Sequence, residues 1–116
     1  MPHSDEQAQS YLWDMREAAR EINGYMGRIK FHEFDKNKML RAAVERKLHI
    51  IGEAAVHISP QFRKEHPEVA WKTLMEMRNI LAHEYGDTLL NRVWLAATIT
   101  TPELLAVLLK LLPEEH

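Results

Sequence analysis

Apolar residues return every three or four positions along nearly all of this chain, and no segment alternates with the period of two that a half-buried strand requires. Such a chain has one way to hide its apolar surface, which is to pack helix faces against each other. Ala8, Leu12, Met15, Ala19, Ile22 and Met26 mark a first helix. Ser4 with Gln7 reads as its capping box, Asp5 and Glu6 suit its first turn, and Gly24 and Gly27 weaken its end. Residues 28–35, with Phe31 and Phe34, read as a connector, after which Asp35 or Asn37 caps a second helix. The stripe of that helix is Leu40, Val44, Leu48, Ile51, Ala55 and Ile58. A second line of Met39, Ala43, Ile50 and Ala54 widens the face enough for packing on two sides, one of them a partner chain. Ser59 and Pro60 read as an N-cap and first helical residue of a short helix to about His66. A third long helix runs from about Pro67 or Glu68 to the break at Gly86 and Asp87. The last starts near Thr88 and is kinked or split by Pro102. The expected fold is all-α, an antiparallel four- to five-helix bundle with short connections.

At 116 residues the chain is expected to be a single domain, 1–116. It has no cysteine, which excludes a disulfide framework, a thiolate metal site and a cysteine nucleophile, and is compatible with a cytoplasmic protein. The amino terminus lacks the basic and apolar regions of a signal peptide. No apolar run approaches the roughly 20 residues that span a membrane, so no membrane partner is expected. The run LLAVLLKLL near the carboxy terminus reads as bundle core or oligomer contact, and Trp71, Trp94 and the methionines as core. A formal charge of −2 argues against a strongly basic nucleic-acid binder. Its distribution qualifies this, because residues 28–47 hold seven Lys or Arg and three acids, a local +4. That stretch is either a phosphate-contacting patch or a solvated face of mixed charge.

Functional side chains are densest at Arg78, Asn79, His83, Glu84 and Tyr85. On a helix Asn79 and His83 lie one turn apart on one face, with Arg78 adjacent, and Arg78 and Tyr85 align if the helix reaches that far. The set suits a phosphodiester. Arginine grips phosphate oxygens with paired hydrogen bonds, and histidine gives or takes a proton near neutrality. RNA brings its own nucleophile, the 2′-hydroxyl, so no metal or other cofactor is required. The plainer alternative is that Arg78 pairs with a neighbouring carboxylate. His49, Glu53 and His57 share a second helix face, but the outer two are about 12 Å apart along the axis. One ion cannot bridge them alone, so this is read as a polar face, solvated or lining a cleft, rather than a metal site. Gly52, costly inside a helix, either permits close approach of another helix or has no role.

Residues 78–85, RNILAHEY, resemble the Arg-x4-His-x-Tyr motif of HEPN-domain proteins, in particular the HepT toxin branch. Residues 48–55 (LHIIGEAA), 66–71 (HPEVAW) and 87–94 with Thr101-Pro102 resemble other segments of that branch in the same order, covering roughly residues 5–112. The resemblance implies a homodimer through facing motif helices and a metal-independent endoribonuclease toxin with a composite active site. It implies Arg78 and His83 as the catalytic pair, Asn79 as the polar residue beside them, and Glu53 as a lining residue of the cleft. It implies Tyr85 as the hydroxyl to which a cognate nucleotidyltransferase antitoxin adds AMP, with higher assembly between the two proteins open. The alternative from another class is a non-catalytic helical module that binds a nucleotidyltransferase or a nucleotide.

Overall fold

The computed structural model describes residues 2–112, with side chains from residue 7 onward, so the Ser4 side chain of the expected capping box lies outside what is described, while the first helix already begins at Pro2 rather than after Ser4. Every element among them is helical: α1 (Pro2–Met26), α2 (Phe31–Lys36), α3 (Lys38–His57), α4 (Pro60–Glu65), α5 (Trp71–His83), α6 (Gly86–Leu95), a π-helical turn (Ala96–Thr100) and α7 (Thr101–Leu111). The helices outnumber the four or five expected, for local reasons. Residues 28–35 are not a plain connector, because α2 forms there. Its Lys30 N–H donates to Glu33 Oε1 (2.8 Å), and fully buried Phe34 anchors it. Six residues are too few for a periodic signal. Asn37, not Asp35, caps α3, its Oδ1 accepting from the Leu40 N–H at 3.0 Å. Ser59 Oγ accepts from the Phe62 N–H (3.1 Å) and starts α4 as expected.

The segment after α4 is a turn, so α5 begins at Trp71, later than the periodicity suggests. Trp71 Nε1–H donates to His66 O (2.8 Å). The Glu68 carboxyl is held below its ordinary range, first by its hydrogen bond with His66. At the other end, α6, the π turn and α7 run on without a break. Pro102 supplies no N–H, and just before it the ladder widens: Thr101 N–H donates to Ala96 O, five residues back. This continuous helix, Gly86–Leu111, is long and apolar enough to cross a membrane by length and composition, contrary to the sequence expectation. Here it is partly buried, placing Leu90, Val93, Ala96, Ala97, Leu104 and Leu108 in the core while Leu95 and Ile99 are exposed.

Cross-contacts give the helix directions. Tyr11 meets His57 while Glu21 meets Lys47, so α1 and α3 are antiparallel. Gly52 meets Leu74 and Arg78 while Arg41 and Glu45 share a groove with Gly86 and Leu90, so α3 and α5 are antiparallel. α1 packs most extensively on α3 and then on α7, and α3 on α5. The buried residues form one cluster that includes Met15, Ile22, Val44, Leu48, Ile51, Leu74 and Leu108. Some apolar residues depart from expectation, Met39 and Trp94 among them. Met39 is 83% exposed, off the stripe at the first turn of α3. Trp94 is only partly buried, edge-on to Phe31 with ring centroids 5.4 Å apart.

Arg16 is buried (2% exposed) on α1, which no pattern foretold. Its guanidinium lies 5.5 Å over the Trp13 ring and 3.4 Å from Glu17 Oε2, yet Nε and Nη1 have no hydrogen bond among the described residues. A buried donor left unmade is costly, and apolar replacements of similar volume at such sites are often stabilising. Arg16→Met is therefore expected to stabilise the fold by about 1–3 kcal/mol in denaturant melts. A fall in stability would show that the charge is needed where it lies.

Candidate active site

Gly52 sets the spacing of α3 and α5. A Cβ at this position would stand 3.2 Å from Leu74 O and 3.4 Å from the Arg78 backbone nitrogen. With only hydrogen there, the next residue, Glu53, reaches Arg78: Oε2 lies 2.8 Å from Nε. The carboxylate meets the guanidinium at Nε and leaves the Arg78 side chain partly exposed. The two side chains are 43% and 32% exposed, so the pair positions Arg78 more than it stabilises the fold. Of the two alternatives for Arg78, pairing with a carboxylate is the one present in the structure, and the side chain remains partly exposed.

His83 is exposed in the last turn of α5, and its Nδ1–H donates to Asn79 O at 3.0 Å. In the neutral ring this leaves Nε2 as the hydrogen-bond acceptor. Asn79 meets His83 through its backbone carbonyl, and its exposed side chain makes no hydrogen bond among the described residues. The helix stops at His83, and Glu84 turns extended (φ −101°, ψ 153°). The helix does not reach Tyr85, so the condition for aligning it with Arg78 on one helix is not met. Tyr85 sits on the extended N-cap of α6 and is 82% exposed. Gly86 follows at φ 63°, a left-handed conformation that favours glycine at this sharp break.

Glu53 also ties in the two histidines of α3. His49 Nε2 is 3.6 Å from its Oε2. His57 Nδ1–H donates to the Glu53 carbonyl (2.8 Å) and lies 4.0 Å from Oε1. Among the described residues no three His, Asp or Glu side chains converge on a point that could hold a metal ion. Of the basic stretch, Lys47 pairs with Glu21 (3.0 Å) and Arg41 with Asp35 (3.9 Å). Arg28, Lys30, Lys36, Lys38 and Arg46 have no ion-pair partner among the described residues. Lys38 and Arg41 line a groove of about 300 Å³ that reaches Gly86, next to Tyr85. The sequence reading missed the meeting of Tyr11 with His57, because nothing local relates two residues so far apart in the chain.

The family description "Ribonuclease HepT-like" matches residues 15–111. "Putative RNase MJ1380" of Methanocaldococcus jannaschii is 42% identical over 82 residues, covering 71% of this chain and 75% of that protein. "Putative RNase MJ1216" of the same organism is 34% identical over 104 residues, 90% of this chain and 84% of the relative. "Probable ribonuclease HepT" of Thermococcus cleftensis is 35% identical over 94 residues, 81% and 86% of the two chains. No solved structure matches the chain significantly.

Proposed function

The chain belongs to the HepT-like ribonuclease family, with RNA as its substrate, and on that premise we propose that it is a metal-independent endoribonuclease toxin whose catalytic pair is Arg78 and His83. The observation that supports this reading most is the arrangement at the end of α5: a histidine with Nδ1 engaged, five residues after a partly exposed arginine that a carboxylate meets at Nε. In the proposed step His83 Nε2 takes the proton of the RNA 2′-hydroxyl. The 2′-oxygen attacks phosphorus, the 5′-oxygen leaves with its bonding pair, and Arg78 stabilises the charge that builds on the phosphate oxygens. The products are a 2′,3′-cyclic phosphate and a 5′-hydroxyl. Asn79 supports the site by orienting His83 through its carbonyl.

The leaving oxygen also needs a proton, and one chain offers a single histidine on its motif helix. A homodimer with motif helices face to face would bring His83 of the partner subunit as the acid, giving a composite site that one domain of this size does not hold alone. A cognate nucleotidyltransferase antitoxin would silence the toxin by adding AMP to Tyr85. The exposure of that hydroxyl suits access by a second protein. The adduct adds bulk and negative charge beside the cleft, and like charge repels RNA. A non-catalytic module binding a nucleotidyltransferase or a nucleotide is the second reading, favoured by one observation, that Arg78 is already engaged by Glu53.

The purified, unmodified protein is expected to cleave single-stranded RNA in excess chelator and to leave cyclic phosphate ends. Intact RNA, or cleavage only with added metal, sinks the reading. Incubation with the antitoxin and ATP should raise the intact mass by one AMP, and Tyr85→Phe should abolish the increment. An increment that persists places the modification elsewhere.

A further inference from the structure

A groove of about 270 Å³ runs between α1 and α3 beside Arg78, and the proposed mechanism makes no use of it. Its lining includes Tyr11, Asp14, Arg46, His49, Glu53 and His57. Glu53 belongs both to this groove and to the Arg78 ion pair, so the two sites adjoin. The Tyr11 and His57 rings meet with centroids 5.4 Å apart and planes tilted by 30°. His57 is held in that pose by its hydrogen bond to the Glu53 carbonyl (2.8 Å), on the residue that also holds Arg78. Arg46 is exposed and has no ion-pair partner among the described residues.

We propose that this groove is a nucleobase subsite, in which an unpaired base flanking the scissile phosphate stacks on the Tyr11–His57 pair and its own phosphate meets Arg46. Unpaired RNA bases are commonly held by stacking on tyrosine or histidine, with cations tracking the backbone. The acids in the groove do not oppose this arrangement. Glu53 is neutralised by Arg78, and Asp14 is an acceptor for base N–H groups. The subsite would make cleavage depend on a base next to the cut and favour single strands, since a base in a duplex cannot leave its stack without cost.

The inference rests on the ribonuclease reading, and the test separates the two. Binding of a labelled single-stranded RNA 12-mer, and of the same strand made abasic at one position, is measured on the His83→Ala protein, where the strand survives. The abasic strand that removes the flanking base is expected to bind about 5- to 100-fold more weakly, and Tyr11→Ala should abolish that difference while Tyr11→Phe retains most of it. Arg46→Ala should reduce the slope of log Kd against log salt by about 0.7, the share of one phosphate contact on a single strand. If Tyr11→Ala fails to fold, His57→Ala takes its place. Equal binding of intact and abasic strands at every position overturns the subsite, and the catalytic reading still stands if Arg78→Ala abolishes cleavage. A wild-type protein that neither binds nor cuts RNA overturns both.

Discussion

Alanine at His83 is expected to lower kcat for RNA cleavage by about 10²- to 10⁴-fold, the usual worth of a positioned general base. The same change at Arg78 is expected to cost about 10²- to 10³-fold, as for loss of one charge-stabilising donor. Arg78→Lys should recover little, because a point charge cannot reproduce a planar fork that Glu53 orients at Nε. Neither alanine should unfold the protein. His83 is exposed, and the Arg78–Glu53 pair is too solvated to contribute more than about 1 kcal/mol. Thermal melts that overlay the wild type, beside cleavage time courses that do not, are the expected pattern. Cleavage that survives both substitutions removes this pair from the chemistry and leaves the helical-module reading in place.

The reach of the sequence depended on how local each feature is. The long helices announced themselves because one face repeats over many turns, and Ser59, Asn37 and Gly27 marked ends that depend on a few neighbouring atoms. α2 was hidden because it is shorter than two turns. The π turn was hidden because Pro102 signals a disturbed ladder without saying whether the helix bends, breaks or widens. Arg16 was unreadable because an arginine on an apolar stripe is normally expected to reach solvent. Of the proposed site, the arginine and histidine stand out in the sequence by their spacing. Their setting does not, because Glu53 and Tyr11 come from other helices and tertiary contacts leave no periodic trace.

Gly52 was legible as an anomaly, and its neighbours now decide what substitution there does. Alanine in place of glycine within a helix gains about 1 kcal/mol. At Gly24, in α1, nothing lies within 4 Å of the added Cβ, so Gly24→Ala should keep up to about 1 kcal/mol of that gain. At Gly52 the Cβ meets Leu74 O at 3.2 Å, a backbone atom that cannot rotate aside. Overpacking of this kind costs about 1–3 kcal/mol, which offsets or exceeds the propensity gain. Gly52→Ala should therefore be neutral to destabilising while Gly24→Ala is stabilising, and Gly52→Val should lower Tm by about 5–12 °C. Catalysis should suffer more than stability. The Arg78 backbone nitrogen and Cβ lie in ordinary contact with the same point, at 3.4 and 3.5 Å, so a shift of α5 by a few tenths of an ångström to relieve Leu74 O takes Arg78 with it. A displacement near 1 Å in a positioned group can cost about 10²-fold in rate, and this shift is smaller. Gly52→Ala is accordingly expected to cleave RNA more slowly than the wild type, by less than about 10²-fold. Equal stabilisation at the two glycines, with full activity at both, would mean that α3 and α5 do not meet at Gly52 and that Arg78 owes its position to something else.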